Sequence, residues 1–107
     1  MELPDDVHAH LAAAFAPGEL AQAIALLASA HTEDGSVPTA RLLRCAAFAS
    51  NGQLPRLRHL VALMALDWRD VVTAGECDNV HGHPRHVHDF TQAMAAPHQE
   101  STAHDRR

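Results

Sequence analysis

The sequence predicts a small all-α protein: a bundle of four to five helices around a central αα-hairpin, followed by a histidine-rich, partly disordered tail. Three observations carry this expectation. Alanine is the commonest residue in a chain of 107 that is 47% hydrophobic, and alanine favours helix while burying little surface, which gives close-packed helices and a thin core. Aromatic residues make up only 4%, namely Phe15, Phe48, Phe90 and Trp68, too few for a typical sandwich or barrel. Helix start and stop signals recur through the first three quarters of the chain and then cease.

Taken in order, Asp5 or Asp6 caps a first helix reaching about Phe15, which Pro17-Gly18 ends. Pro17 suits the first turn of a second helix, where its missing N–H has no partner to lose. Leu20, Ile24, Leu27 and His31 then fall at i, i+4, i+7 and i+11, a one-sided stripe. Glu33-Asp34-Gly35 breaks it. Ser36 offers the next N-cap, with Pro38 in the first turn and Leu42, Cys45, Ala46 and Ala49 facing inward. Asn51-Gly52 stops this helix, because glycine tolerates the left-handed backbone such a stop needs. Pro55 opens a fourth helix with Leu57, Leu60, Val61 and Met64 on one face. Together the third and fourth helices form the αα-hairpin. Asp67 caps a short fifth helix carrying Trp68, Val71 and Val72.

A boundary near Asp78 separates a helical domain, residues 1–78, from a tail of residues 79–107. The tail holds six of the ten histidines and two prolines. Val87, Phe90 and Met94 predict one short helix over about 85–95 with Pro84 as its opener, and disorder is expected beyond Pro97.

Charge is segregated. Residues 1–34 carry six acids and no arginine; residues 35–66 carry Arg41, Arg44, Arg56 and Arg58 and no acid. Either an acidic helical pair packs beside a basic one, or the hairpin offers a cationic face to a partner. With a net charge of −5 and no lysine, general nucleic-acid binding is disfavoured, since duplex affinity rests on basic side chains displacing counterions. An anion contact through the four hairpin arginines is the weaker variant of that idea. The acidic start lacks the pattern of a signal peptide, and no apolar run reaches the length of a membrane span. A cytoplasmic, reduced protein is expected, with Cys45 a small buried hydrophobe.

For chemistry, the densest cluster is Cys77, His81, His83, His86 and His88, with Asp78 and Asp89 alongside. Imidazole and thiolate suit zinc, copper and nickel, so a zinc or nickel site is one reading. Cys77 and His81 would share a face if the fifth helix continued. The spacing matches no closed structural site, however, and a solvated tail that takes metal weakly is the other reading, with pH sensing a third. There is no nucleophile elbow, no phosphate loop and no Cys–His pair with an orienting third residue. The pairs Asp5-Asp6 and Asp67/Asp70 sit where helix starts want negative charge. A non-enzyme is expected.

Asp67-Trp68-Arg69-Asp70-Val71 is the most individual stretch. With Arg44-Cys45-Ala46, Asn51-Gly52-Gln53-Leu54, Leu57-Arg58-His59 and Ala74-Gly75-Glu76-Cys77, it resembles a group of small uncharacterised bacterial helical proteins that carry a D-[YW]-R-D-V segment. The resemblance covers about a third of the chain. It implies a compact helical fold and brings no activity to any residue. Gly75 and Cys77 depart from the alanine and tyrosine of that pattern, a change expected to loosen the end of the fifth helix. Trp68 either anchors that helix on the hairpin or offers its indole to a partner. The function expected is a non-enzymatic interaction module of the adaptor, inhibitor or immunity type. It would bind another protein (a second copy of the chain included) through Trp68, Arg69, Arg41, Arg44, Arg56 and Arg58, with divalent-metal binding as the alternative.

Overall fold

Among the described residues the chain forms five helices, and the broad apolar face of the third organises the rest. A computed structural model of the protein describes residues 1–80 and 82–94. In chain order the elements are α1 (Asp5–Ala14), α2 (Pro17–Ala28), α3 (Ala40–Ala49), α4 (Leu54–Leu66), α5 (Trp68–Glu76), β1 (Cys77–Val80) and β2 (His83–His86). In α3 the side chains of Leu42, Leu43, Cys45, Ala46, Ala47 and Ala49 are all buried. Only Ala40, Arg41, Arg44 and Phe48 lie outside this buried face, and α1, α2, α4 and α5 all pack on α3. Its small residues permit close approach. At Gly75 of α5, a Cβ would lie 2.7 Å from both Cα and Cβ of Cys45. Gly75 therefore tightens the end of α5, where the sequence comparison implied loosening. The core adds Val7, Leu11, Leu27, Leu57, Leu60, Met64 and Val71.

Local chemistry sets most of the boundaries. Pro17 sits in the first turn of α2, as its locked φ favours. Between α3 and α4 the chain turns through Asn51 (φ 53°) and Gly52 (φ 71°). A side chain at Gly52 would also meet the Ala14 carbonyl oxygen at 2.3 Å, so glycine is required twice over. The Asp67 carboxylate caps α5 by accepting the Arg69 N–H at 3.1 Å.

The N-cap of α3 is Thr39, whose Oγ1 accepts the Leu42 N–H, in place of the expected Ser36. Ser36 is consumed one turn earlier. Its N–H goes to the Asp34 carboxylate at 3.0 Å, and its carbonyl accepts from Thr32 N–H at 3.0 Å.

The predicted helix over 85–95 is replaced by a β-hairpin and an extended strap. β1 and β2 pair antiparallel, with Cys77 opposite His86 and Asp78 opposite Arg85. Gly82 takes φ 82° in the turn. Beyond β2, the Val87 and His88 N–H groups both donate to the Glu76 carbonyl, at 2.7 and 3.0 Å. These bonds pull residues 87–94 back over the bundle as a strap. Of the three apolar residues that suggested a helix, Phe90 is buried and Met94 partly so, while Val87 is exposed. Their spacing thus records two anchor points and not a helical face. The disorder expected beyond Pro97 lies outside the described residues. Among the described residues, no helix is long and apolar enough to cross a membrane.

Candidate binding groove and carboxylate clamp

The 32–39 loop stands off the N-terminal end of α5 and leaves an open groove of about 700 Å³. Its floor is apolar, formed by Leu42 of α3 and Val72 of α5, with Val37 and Trp68 at the sides. Val37 is 71% exposed and Trp68 37%. Leu66, two residues before Trp68, is 75% exposed. The hydroxyl-bearing Thr32, Ser36 and Thr39 and the charged Glu33, Asp34, Arg41 and Arg69 complete the lining.

Trp68 stands in the groove wall and outside the core cluster. Val71 and Gly75 make the buried face of α5. The Trp68 backbone N–H donates to the Glu33 carboxylate at 3.3 Å across the groove, and the Arg69 guanidinium carbon lies 5.5 Å from the centre of the indole. Arg69 also approaches Asp67 at 3.4 Å. On the loop side, Asp34 accepts the Thr32 hydroxyl at 2.6 Å and the Ser36 N–H at 3.0 Å. Those bonds hold its carboxyl well down, to about 2, because they favour the ionised form.

Beside the groove lies a second constellation that sequence reasoning did not identify. Glu76 has a fully buried side chain and takes five donors. Arg41 binds it bidentately, Nε to Oε2 at 2.8 Å and Nη2 to Oε1 at 2.7 Å. His86 Nε2 lies 2.9 Å from Oε1, the Phe90 N–H donates to Oε2 at 3.1 Å, and the Cys45 thiol approaches Oε2 at 3.8 Å. A carboxylate only accepts, so His86 carries its proton on Nε2. The Arg41 bonds above all, helped by His86 and Phe90 against the cost of burial, hold the Glu76 carboxyl down at about 2. Burial, with the neighbouring carboxylate, pushes the Cys45 thiol up to about 12.

Asp6 repeats the device at the other end of the strap. It accepts Arg44 Nε at 2.8 Å and the Met94 N–H at 3.1 Å, while Arg44 Nη1 donates to the Phe90 carbonyl at 3.1 Å. Burial opposes the charge on Asp6, yet the Arg44 and Met94 bonds together hold its carboxyl below the usual range. Between the two clamps the Phe90 ring rests 5.3 Å from Phe48, and His88 lies 4.6 Å from Phe48. One signal for Glu76 was legible in principle. It stands four residues after Val72 and follows Gly75 on the inward side of α5, and an acid on an apolar stripe implies a paired, buried charge.

The six residues expected to contact a partner divide accordingly. Trp68, Arg69 and Arg41 meet at the groove. Arg44 is committed to Asp6 and the strap. Arg56 donates from Nε to the Ala49 carbonyl, closing the end of α3, and Arg58 is exposed on α4. The acidic first helix and the basic hairpin are thus joined inside the domain through Asp6 and Arg44.

The described members of the expected metal cluster do not converge. α5 stops at Glu76, so Cys77 enters β1 and does not share a helical face with position 81. Cys77 and His86 are register partners, but His86 is turned to Glu76 and His88 to the phenylalanines. His81 lies outside the described residues, as does the side chain of His83. Among the described residues, no three His, Cys, Asp or Glu side chains converge to hold a metal ion. No protein-family model, curated protein or solved structure matches this chain.

Proposed function

We propose that the chain is a non-enzymatic protein-interaction module whose partner seats in the groove between the 32–39 loop and α5. The observation that carries this reading is the coincidence of exposed Val37 and Trp68 at a concave feature that Arg41 and Arg69 also line. Single exposed apolar residues are ordinary, whereas several grouped around a concavity mark a contact surface. Tryptophan and arginine are the residue types that most often dominate such contacts. Binding suits the site better than catalysis because its acids are already engaged in structural hydrogen bonds.

The test is site-specific photo-crosslinking in cells, with the reactive group placed at position 37, 69 or 58. Positions 37 and 69 should capture a common protein, and Trp68→Ala, checked for folding by circular dichroism, should abolish the capture. Equal capture from position 58, or capture indifferent to Trp68→Ala, moves the interface elsewhere.

A further inference from the structure

We infer that the groove's occupant is a basic segment of the partner protein, with an arginine or lysine seated against the Glu33–Asp34 lip; this rests on the groove reading above. The argument is one of charge compensation. Each groove arginine already has its counter-ion: Arg41 is held by the buried carboxylate of Glu76 at 2.7 Å, and Arg69 approaches Asp67 at 3.4 Å. The two acids of the lip have none. Glu33 takes only the Trp68 backbone N–H, and Asp34 only the Thr32 hydroxyl and the Ser36 N–H. Among the described residues, neither carboxylate sits in an ion pair.

The groove thus combines an apolar floor and an indole with two uncompensated negative charges on one wall. That wall lies within a run of 40 residues with no lysine or arginine, in a chain of net charge −5, so the surrounding field also favours a cationic visitor. Long basic side chains fit such a wall, since their methylene stems can lie along Trp68 and Val37 while the charged head reaches the carboxylates. The indole face already carries Arg69, which directs the incoming cation to the lip and away from the ring.

A display selection of random peptides on the full-length protein tests this, each enriched peptide being re-assayed on Trp68→Ala and Val37→Ser. Two substitutions allow for the chance that one disturbs folding. Peptides that lose binding in both variants should be enriched in arginine and lysine. Their affinity should drop about three- to tenfold in a Glu33→Gln/Asp34→Asn double variant, and should weaken as salt is raised. Both substitutions keep the acceptor oxygens that hold the loop. Groove-dependent peptides that are acidic, or that show no charge bias, overturn the basic partner and leave the groove standing. Peptides insensitive to both groove substitutions, or no enrichment at all, overturn the groove reading and this inference with it.

Discussion

Replacing Arg41 by methionine keeps much of the side-chain volume and removes the guanidinium, which isolates the buried carboxylate of Glu76. The two partners are not equivalent. The Arg41 side chain is 41% exposed and Glu76 not at all, so water can serve an abandoned arginine but cannot reach an abandoned glutamate. Removing one partner of a buried pair costs about 3–5 kcal/mol, and in Arg41→Met His86 and the Phe90 N–H remain, which favours the lower end. A loss of about 3 kcal/mol lowers the melting temperature by roughly 10–20 °C in a domain of this size. Glu76→Gln keeps an acceptor for Phe90 and leaves Arg41 free to hydrate, so it should cost only about 1–2 kcal/mol.

The acid limb supplies a second readout. The Glu76 carboxyl is depressed in the folded protein, to about 2 from an ordinary 4.5. Its contribution is therefore complete above the ordinary value and is lost as pH falls toward the depressed one. In Arg41→Met the carboxyl moves up, and the gap between wild type and variant should narrow by about 3 kcal/mol from neutral pH toward pH 2. Urea unfolding followed by circular dichroism across that range measures both quantities. The reasoning is refuted if Arg41→Met costs less than Glu76→Gln, or if the gap between wild type and Arg41→Met does not close with acid.

Three further outcomes are expected. Gly75→Ala places a Cβ 2.7 Å from the Cys45 backbone, and overpacking of about 1–3 kcal/mol should outweigh the gain in helix propensity, leaving a lower melting temperature. With Phe90→Ala the strap loses its anchor, so hydrogen exchange should accelerate at Val87, His88, Phe90 and Met94 while amides of α3 and α4 stay protected. Iodoacetamide at mildly alkaline pH should label the partly exposed Cys77 and spare Cys45, whose buried thiol is raised to about 12; mass spectrometry that finds Cys45 alkylated in the native state contradicts its burial against Glu76.

What the sequence made legible was whatever local rules decide. Pro17, Asn51-Gly52 and Asp67 punctuate the helices by their own backbone and side-chain chemistry, and they sit where those rules put them. The αα-hairpin follows from them. What stayed hidden depends on partners far along the chain. Ser36 and Thr39 are equally good caps in isolation, and only the closed Thr32–Ser36 turn decides between them. Val87, Phe90 and Met94 fit a helical period, but the backbone of that segment bonds instead to Glu76, Asp6 and Arg44, which no window of neighbouring residues includes. The groove was half visible: Trp68, Arg69 and Arg41 were singled out by type, whereas Val37, Leu42 and Val72 join them only because the 32–39 loop folds against α5. Arg44 shows the reverse case, a charge that looks available in the sequence and is committed to Asp6 in the fold.

The strap also bears on the order in which the molecule can be completed. Synthesis delivers Arg41, Arg44 and Phe48 well before their partners Glu76 and Phe90, and Asp6 waits longest of all for Met94, 88 residues away. Until the last of these leaves the ribosome, one side of the central helix stays bare, with an open aromatic ring and an uncovered arginine. A nascent chain stalled before residue 90, or a protein shortened to residues 1–78, would keep its helices and yet expose the Phe48 side of the core, a surface open to self-association. Residues 87–94 act as the seal on a bundle that is otherwise already built.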